Sequence, residues 1–160
     1  MKKIALILAA ALAVCAVLCA CSGGAQKAEA KPLSEVWTAI KNEVTFNDFK
    51  EFDDVKKLKN YYGITEDMVS EFAGGVNGSG VNQEEIVLVK AVDDAAAAAV
   101  KTKLDSRYNA KLKQSRDYNP EQAAIVEQCS VTQDGLYVSM IVSENAETIT
   151  QIYRSEAGLQ

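Results

Sequence analysis

Apolar residues follow two different rhythms along this chain. Leu33, Val36, Trp37, Ile40 and Val44 recur at i, i+3, i+4, i+7 and i+11, the spacing of one helix face, capped by Ser34 or begun near Pro32. Asp53 is placed to cap a second helix with Val55, Leu58 and Tyr62 inward, and Gly63 stops it. Thr65, followed by Glu66 and Asp67, predicts a third, short helix carrying Met68, Val69 and Phe72 and ended by Gly74 and Gly75. Beyond a Gly-rich bend at 74–80 the period changes. Ile86 to Val92 (IVLVKAV) is β-branched and nearly continuous, as a strand covered on at least one face would be. Asp93 or Asp94 then caps a long helix to about Arg116, with Val100, Leu104, Tyr108 and Leu112 inward, and Asn119, Pro120 and Glu121 open a further turn.

The clearest hairpin signal is Gln133, Asp134, Gly135, Leu136, because Asp-Gly suits a two-residue turn whose twist matches the strands. It predicts strands over 126–133 and 136–143 with Val131 opposite Val138 and Cys129 opposite Met140. Val131, Cys129, Val138, Met140 and Val142 then share one face. Ala146, Ile149, Ile152 and Tyr153 mark a last helix able to cover that face. The expected fold is α+β, a small antiparallel sheet of about three strands packed against several helices.

The first 20 residues belong to a different pattern. Lys2 and Lys3 precede an uncharged apolar run, Ile4 to Ala20, that ends in small residues, the form of a secretory signal. It is shorter than the roughly 20 residues a span needs and has no basic stop-transfer cluster behind it. Without it, two of the 17 basic residues are gone, the 22 acidic ones remain, and the net charge falls from −5 to −7. A basic nucleic-acid surface is thereby unexpected. The absence of His removes the usual neutral-pH general base and the commonest metal ligand. No metal or cofactor site is expected.

Leu18, Cys19, Ala20, Cys21 resembles the lipobox of bacterial lipoproteins, in which a branched apolar residue stands three before the Cys and a small one directly before it. Cys15 and Cys19 follow bulky Val14 and Leu18 and do not fit. The resemblance implies a diacylglyceryl group on the Cys21 sulfur, cleavage before it, and an anchor of two or three acyl chains. A small-x-small site at Ala28, Glu29, Ala30 would give simple secretion, but it lies well past the apolar run. The expected organisation is a signal over 1–20, lipidated Cys21 with a flexible tether over 21–32, and one domain over 33–155. Of the four cysteines, only Cys129 then remains in the folded part, unpaired; the hairpin register predicts an inert core thiol there.

Candidate chemistry is sparse. The pairs Asp53-Asp54, Glu84-Glu85 and Asp93-Asp94 each stand where a helix or strand begins, and read as caps or surface charges before they read as catalytic carboxylates. Asn77 to Gly80 lacks the Gly-Lys-Ser/Thr of a phosphate loop and leads into a strand, so it reads as a flexible bend. Lys50, Lys56, Lys57 and Lys59 are interleaved with acids and read as a solvated face. Three residues are candidates for a binding surface: Tyr61, Tyr118 and Glu121. For Tyr118 the simpler expectation weighs more, that Pro120 begins a short helix and Tyr118 closes the core beneath it.

The chain also resembles the DUF4358 family, lipoproteins mostly of Firmicutes that have no assigned activity. The matching stretches are Phe52-Asp53-Asp54, Leu58, Tyr62-Gly63-Ile64 and Glu66; Glu85-Ile86, Leu88 and Lys90-Ala91; Tyr118 and Pro120-Glu121-Gln122; and Gly135, Tyr137-Val138 and Ile141 to Ser143, collinear from about 35 to 155. The chain departs from the family at 74–80, where a more apolar, Met-rich stretch is usual, and this leaves open whether a strand or a mobile loop forms there. The resemblance supplies no ligand or catalytic residue.

The expected function is that of a non-enzymatic binding module, held by lipid on Cys21 at the outer face of the cell membrane and engaging an envelope protein, a peptide or a wall ligand. The alternative is a cell-wall or glycan hydrolase working with paired Asp/Glu, a chemistry that needs neither His nor Cys. About 120 folded residues do not readily make the two lobes of a solute-binding protein.

Overall fold

The computed structural model describes residues 30–80 and 82–159. The expected signal peptide, the acylation site Cys21 and most of the tether lie outside these residues. Five strands form one antiparallel sheet: β1 (Phe49–Glu51), β2 (Val69–Asn77), β3 (Glu85–Ala91), β4 (Ser130–Asp134) and β5 (Tyr137–Val142), in the order β1-β2-β3-β5-β4. The five α-helices among the described residues are α1 (Leu33–Glu43), α2 (Val55–Tyr62), α3 (Asp94–Tyr118), α4 (Pro120–Glu127) and α5 (Ala146–Glu156). None of them is long and apolar enough to cross a membrane. The α+β class holds, and the sheet is wider than the three strands expected.

The unbroken apolar run of β3 has a direct cause. β3 is the central strand and both of its faces are covered, so alternation gives way to continuous hydrophobicity. Val87 and Val89 join Val100 and Leu104 of α3, Val126 of α4 and Leu58 and Tyr62 of α2 in one core. Ile86 and Leu88 face the other way, into a second core with Val36, Trp37 and Ile40 of α1 and Ile149 and Tyr153 of α5. The protein is therefore three layers with the sheet in the middle.

Three expectations are corrected. Met68 to Gly75 is not a helix: a single 3₁₀ turn at Glu66–Met68 leads straight into β2. The helical spacing of Met68, Val69 and Phe72 loses to pairing with β1 on one side and β3 on the other. The glycines expected to end a helix are what lets β2 fit between them. A Cβ on Gly74, at φ +115°, would meet the Ile86 carbonyl oxygen at 2.0 Å, and one on Gly75 would meet that of Lys50 at 2.4 Å.

The hairpin turn sits one residue later than expected, and the first strand begins only at Ser130, because residues 126 and 127, expected within it, end α4 instead. Asp134 pairs with Tyr137, and its carboxylate accepts from Arg154 Nη1 of α5 at 2.6 Å, so it belongs to the strand. Gly135 and Leu136 form the loop, with Gly135 at φ +56° in the first position, where a type II′ turn favours glycine. Val131 consequently faces Met140 rather than Val138. Moving a turn by one residue moves the register by two, which preserves the faces: Cys129, Val138, Met140 and Val142 lie in one core with Val131 against it.

The last helix covers the opposite face from the one expected. α5 packs with α1 over Ile86, Leu88 and Ile141, while α3 and α4 cover the Val138 and Met140 side. α5 also fixes where the domain begins. The Lys31 amide donates to the Glu156 carbonyl oxygen at 2.9 Å, and the Lys31 ammonium pairs with the Glu156 carboxylate.

Candidate functional site

Along α3 the stripe facing the sheet changes character halfway. Ala97, Val100 and Leu104 continue the core, but at the same helical spacing come Arg107, Lys111 and Ser115. Lys111 and Ser115 are buried. Tyr108 and Leu112, expected to face inward, are partly buried and pack against the core beside this polar stripe.

Opposite this polar end stands Glu85, the first residue of β3, on the same side of the strand as Val87 and Val89. It is 1% exposed. Arg107 donates to it from Nε at 2.9 Å and from Nη2 at 2.8 Å, a bidentate fork, and Lys111 Nζ lies 3.0 Å from its second oxygen. The Lys111 ammonium also donates to the backbone and side-chain oxygens of Gln83 at 3.0 and 3.1 Å. Its three donors are thus all in use.

Burial opposes ionisation of Glu85, but the Arg107 hydrogen bonds and the Lys111 and Arg107 charges outweigh it and hold the carboxyl below its ordinary range. Burial pushes the Lys111 ammonium downward against the pull of Glu85. The Tyr62 hydroxyl, buried beside Glu85, makes no hydrogen bond of normal geometry among the described residues. Burial first, and the Glu85 charge second, push its pKa far upward.

The expectation that Glu84 and Glu85 are both surface or cap charges is corrected for Glu85, and the reason lies in strand geometry. Neighbouring residues of an extended segment face opposite ways. Glu84 accepts instead from Ser143 Oγ at 2.6 Å, and burial, with Glu144 nearby, raises its pKa despite that bond.

Above the ion cluster lies a polar cleft of about 310 Å³, lined among others by Lys50, Tyr61, Asn77, Asn82, Gln83, Arg107, Lys111 and Gln114. Lys50 of β1 pairs with Val76, and Val76 pairs with Glu85, so these three lie in one lateral row on the α3 side of the sheet. Two strand spacings, roughly 9 to 10 Å, separate Lys50 from Glu85 across the row. Asn77, Gly78 and Gly80 on one side and Asn82 to Glu84 on the other form one wall of the cleft, and both stretches are anchored. Gly78 donates to the Asp48 carbonyl at 2.6 Å, Asn77 to that of Glu84 at 2.9 Å, and the Gln83 amide to Gln122 Oε1 of α4 at 2.9 Å.

The three candidates named from sequence fall in different places. Tyr61 is half exposed and lines the cleft. Tyr118 is 84% exposed at the end of α3 and does not close the core, because the chain turns into α4 at Asn119 and Pro120 is its first residue. Glu121 is exposed in the first turn of α4, and neither Tyr118 nor Glu121 lines the cleft. Cys129 is buried; its Sγ lies 3.2 Å from the Ile125 carbonyl oxygen, and burial pushes the thiol pKa up.

Arg107 and Lys111 were missed from the sequence. Their signal was available: two cations four residues apart on the continuation of an apolar stripe, facing a strand that opens with a carboxylate.

A family model described as a domain of unknown function, DUF4358, matches residues 42–143. The chain belongs to this family. The DUF4358 match runs from the end of α1 to the residue after β5 and so contains the sheet, α2, α3, α4 and every residue of the cleft. α5 and nearly all of α1, which cover the other face, fall outside it. No curated protein and no solved structure matches the chain.

Proposed function

We propose that this DUF4358 protein is a non-enzymatic binding module, held at the outer face of the cell membrane by lipid on Cys21, and that it takes its ligand in the cleft over Arg107. The anchor rests on the Leu18 to Cys21 lipobox. The binding function rests on one observation: an open polar cleft whose floor is a buried Glu85–Arg107–Lys111 ion cluster. Such a cluster is costly to desolvate, and well-packed apolar side chains would serve stability as well or better. Polar groups held rigid at the base of a cleft are what recognition requires.

The glycan-hydrolase alternative gains little from the geometry. Both oxygens of Glu85 are committed to Arg107 and Lys111, and Glu84 turns away toward Ser143. Glu84, the other carboxylate lining the cleft among the described residues, is the chain neighbour of Glu85 and does not stand opposite it.

Site-specific photocrosslinkers placed at Gln114 and at Tyr118 in the intact lipoprotein test the reading in native membranes. The expected result is a reproducible adduct from Gln114, inside the cleft. Turnover of a wall substrate by the purified protein, with no adduct from Gln114, sinks the binding-module reading.

A further inference from the structure

Arg107 is only partly used by the protein. A guanidinium carries five N–H donors, one on Nε and two on each Nη. Glu85 takes the Nε donor and one from Nη2. Among the described residues the other three have no acceptor, and they include the parallel pair formed by Nη1 and Nη2, a second fork on the end of the same plane. The side chain is 36% exposed while Glu85 is 1% exposed, so the edge gripping Glu85 is the buried one and the second fork belongs to the cleft side. Glu85 thus acts as a clamp, fixing the plane in which the remaining fork is presented.

The surroundings favour an acceptor-rich, negatively charged guest. Lys50 lines the same cleft and has no ion-pair partner among the described residues. Three cationic side chains line it against two carboxylates, both already engaged, in a chain whose net charge is −5. Asn82 Nδ2, Gln83 Nε2 and the Gln114 amide are likewise uncommitted among the described residues, which adds mostly donors. Tyr61 supplies an aromatic surface at the rim. At about 310 Å³ the cleft stands at the small end of ligand pockets, room for a body of about one sugar ring.

The geometry points to a small, hydroxyl-rich ligand bearing one oxyanion, a carboxylate or a phosphate, bound bidentately on the Nη1–Nη2 edge of Arg107 and countered by Lys50. This rests on the cleft being the binding site. A guanidinium fork matches two oxygens of a carboxylate or a phosphate at once, and an ammonium in its place would offer a point charge without the fork.

Calorimetric titration of the full-length protein in detergent with glucuronate, glucose 6-phosphate and glucose tests it. At least one anionic sugar is expected to bind ten or more times tighter than glucose, with an affinity that falls as salt is raised. Glucuronate alone would identify the carboxylate, and glucose 6-phosphate alone the phosphate. Arg107→Lys, which keeps the charge beside Glu85 and removes the fork, is expected to weaken binding about tenfold. Lys50→Gln, outside the ion cluster, is expected to weaken it several-fold and carries the test if the Arg107 variant does not fold. Equal binding of glucose, no binding of either anion, or unchanged affinity in both variants overturns the proposal. If the sugars fail but Gln114 still crosslinks to a partner, the oxyanion inference falls and the binding-module reading stands.

Discussion

Arg107 holds Glu85 through two parallel hydrogen bonds of 2.9 and 2.8 Å at the point where the core of the protein gives way to a polar cleft. One edge of the guanidinium satisfies a buried charge, and the other edge has no acceptor among the described residues.

Removing Arg107 leaves the buried Glu85 with Lys111 as its one cation, and removing Glu85 leaves the buried Lys111 ammonium with only the neutral oxygens of Gln83. Arg107→Met is expected to cost about 3 to 5 kcal/mol, and Glu85→Leu to strand Lys111 at a comparable cost. The triple change of Glu85, Arg107 and Lys111 to apolar residues of similar volume is expected to recover most of the loss. Urea midpoints of the full-length protein decide it. Single variants within about 0.5 kcal/mol of wild type would mean that the cluster is not buried in solution.

The neighbouring carboxylates predict opposite pH slopes. Glu85 has its pKa depressed below 4.5, so its stabilisation is complete above that value and is lost as pH falls through the lower, folded pKa. Glu84 has its pKa raised above 4.5, so its ionised form is disfavoured by the fold, and stability increases as pH falls from its folded pKa toward 4.5. Glu85→Gln should flatten the acid limb and Glu84→Gln the rise above it, measured as unfolding midpoints between about pH 3 and 7. Parallel profiles for the two variants would contradict the assignment.

Two glycines of β2 and one of the hairpin should respond very differently to a methyl group. Gly74→Ala and Gly75→Ala drive a Cβ into backbone of the flanking strands at 2.0 and 2.4 Å, and each is expected to cost about 3 kcal/mol or more. Gly135→Ala meets nothing within 4 Å and carries only the penalty of positive φ, about 1 to 2 kcal/mol. Thermal unfolding that ranks Gly135→Ala as the most damaging of the three would overturn the strand assignment of 69–77.

Cys129 should resist alkylation in the native protein and react once the chain is unfolded, since burial both covers the thiol and suppresses the thiolate. Labelling of native protein at the rate of an exposed thiol would show that α4 opens from the sheet.

The parts of the fold that were legible in the sequence are those set by short-range rules. The face of α1, the Asp93 cap and the Gly63 stop follow from spacing and capping chemistry that act within one or two turns, although the cap of α2 is Asp54, one residue after the Asp53 expected. β2 was hidden because nothing local distinguishes Met68 to Gly75 from a short helix; only the backbone of β1 and β3, distant in sequence, makes it a strand. Which side α5 covers was hidden for a similar reason, since Ile149 and Tyr153 fit either face of a sheet and the choice is made by α3 already occupying one. The cleft was the least legible. Glu85 looks like an ordinary charged residue at the start of a strand, and its burial depends on Arg107 and Lys111, more than twenty residues away, facing it.

If lipid holds Cys21 as proposed, the bond from the Lys31 amide to Glu156 sets how far the domain can stand from the membrane. With the proposed acyl anchor on Cys21 and the chain held at Lys31, the nine residues 22–30 lie between the two, and nine residues can span at most about 30 Å. The domain would then patrol a thin shell just above the headgroups. The cleft would meet what lies within that shell, and a ligand in the outer layers of the envelope would have to come to it.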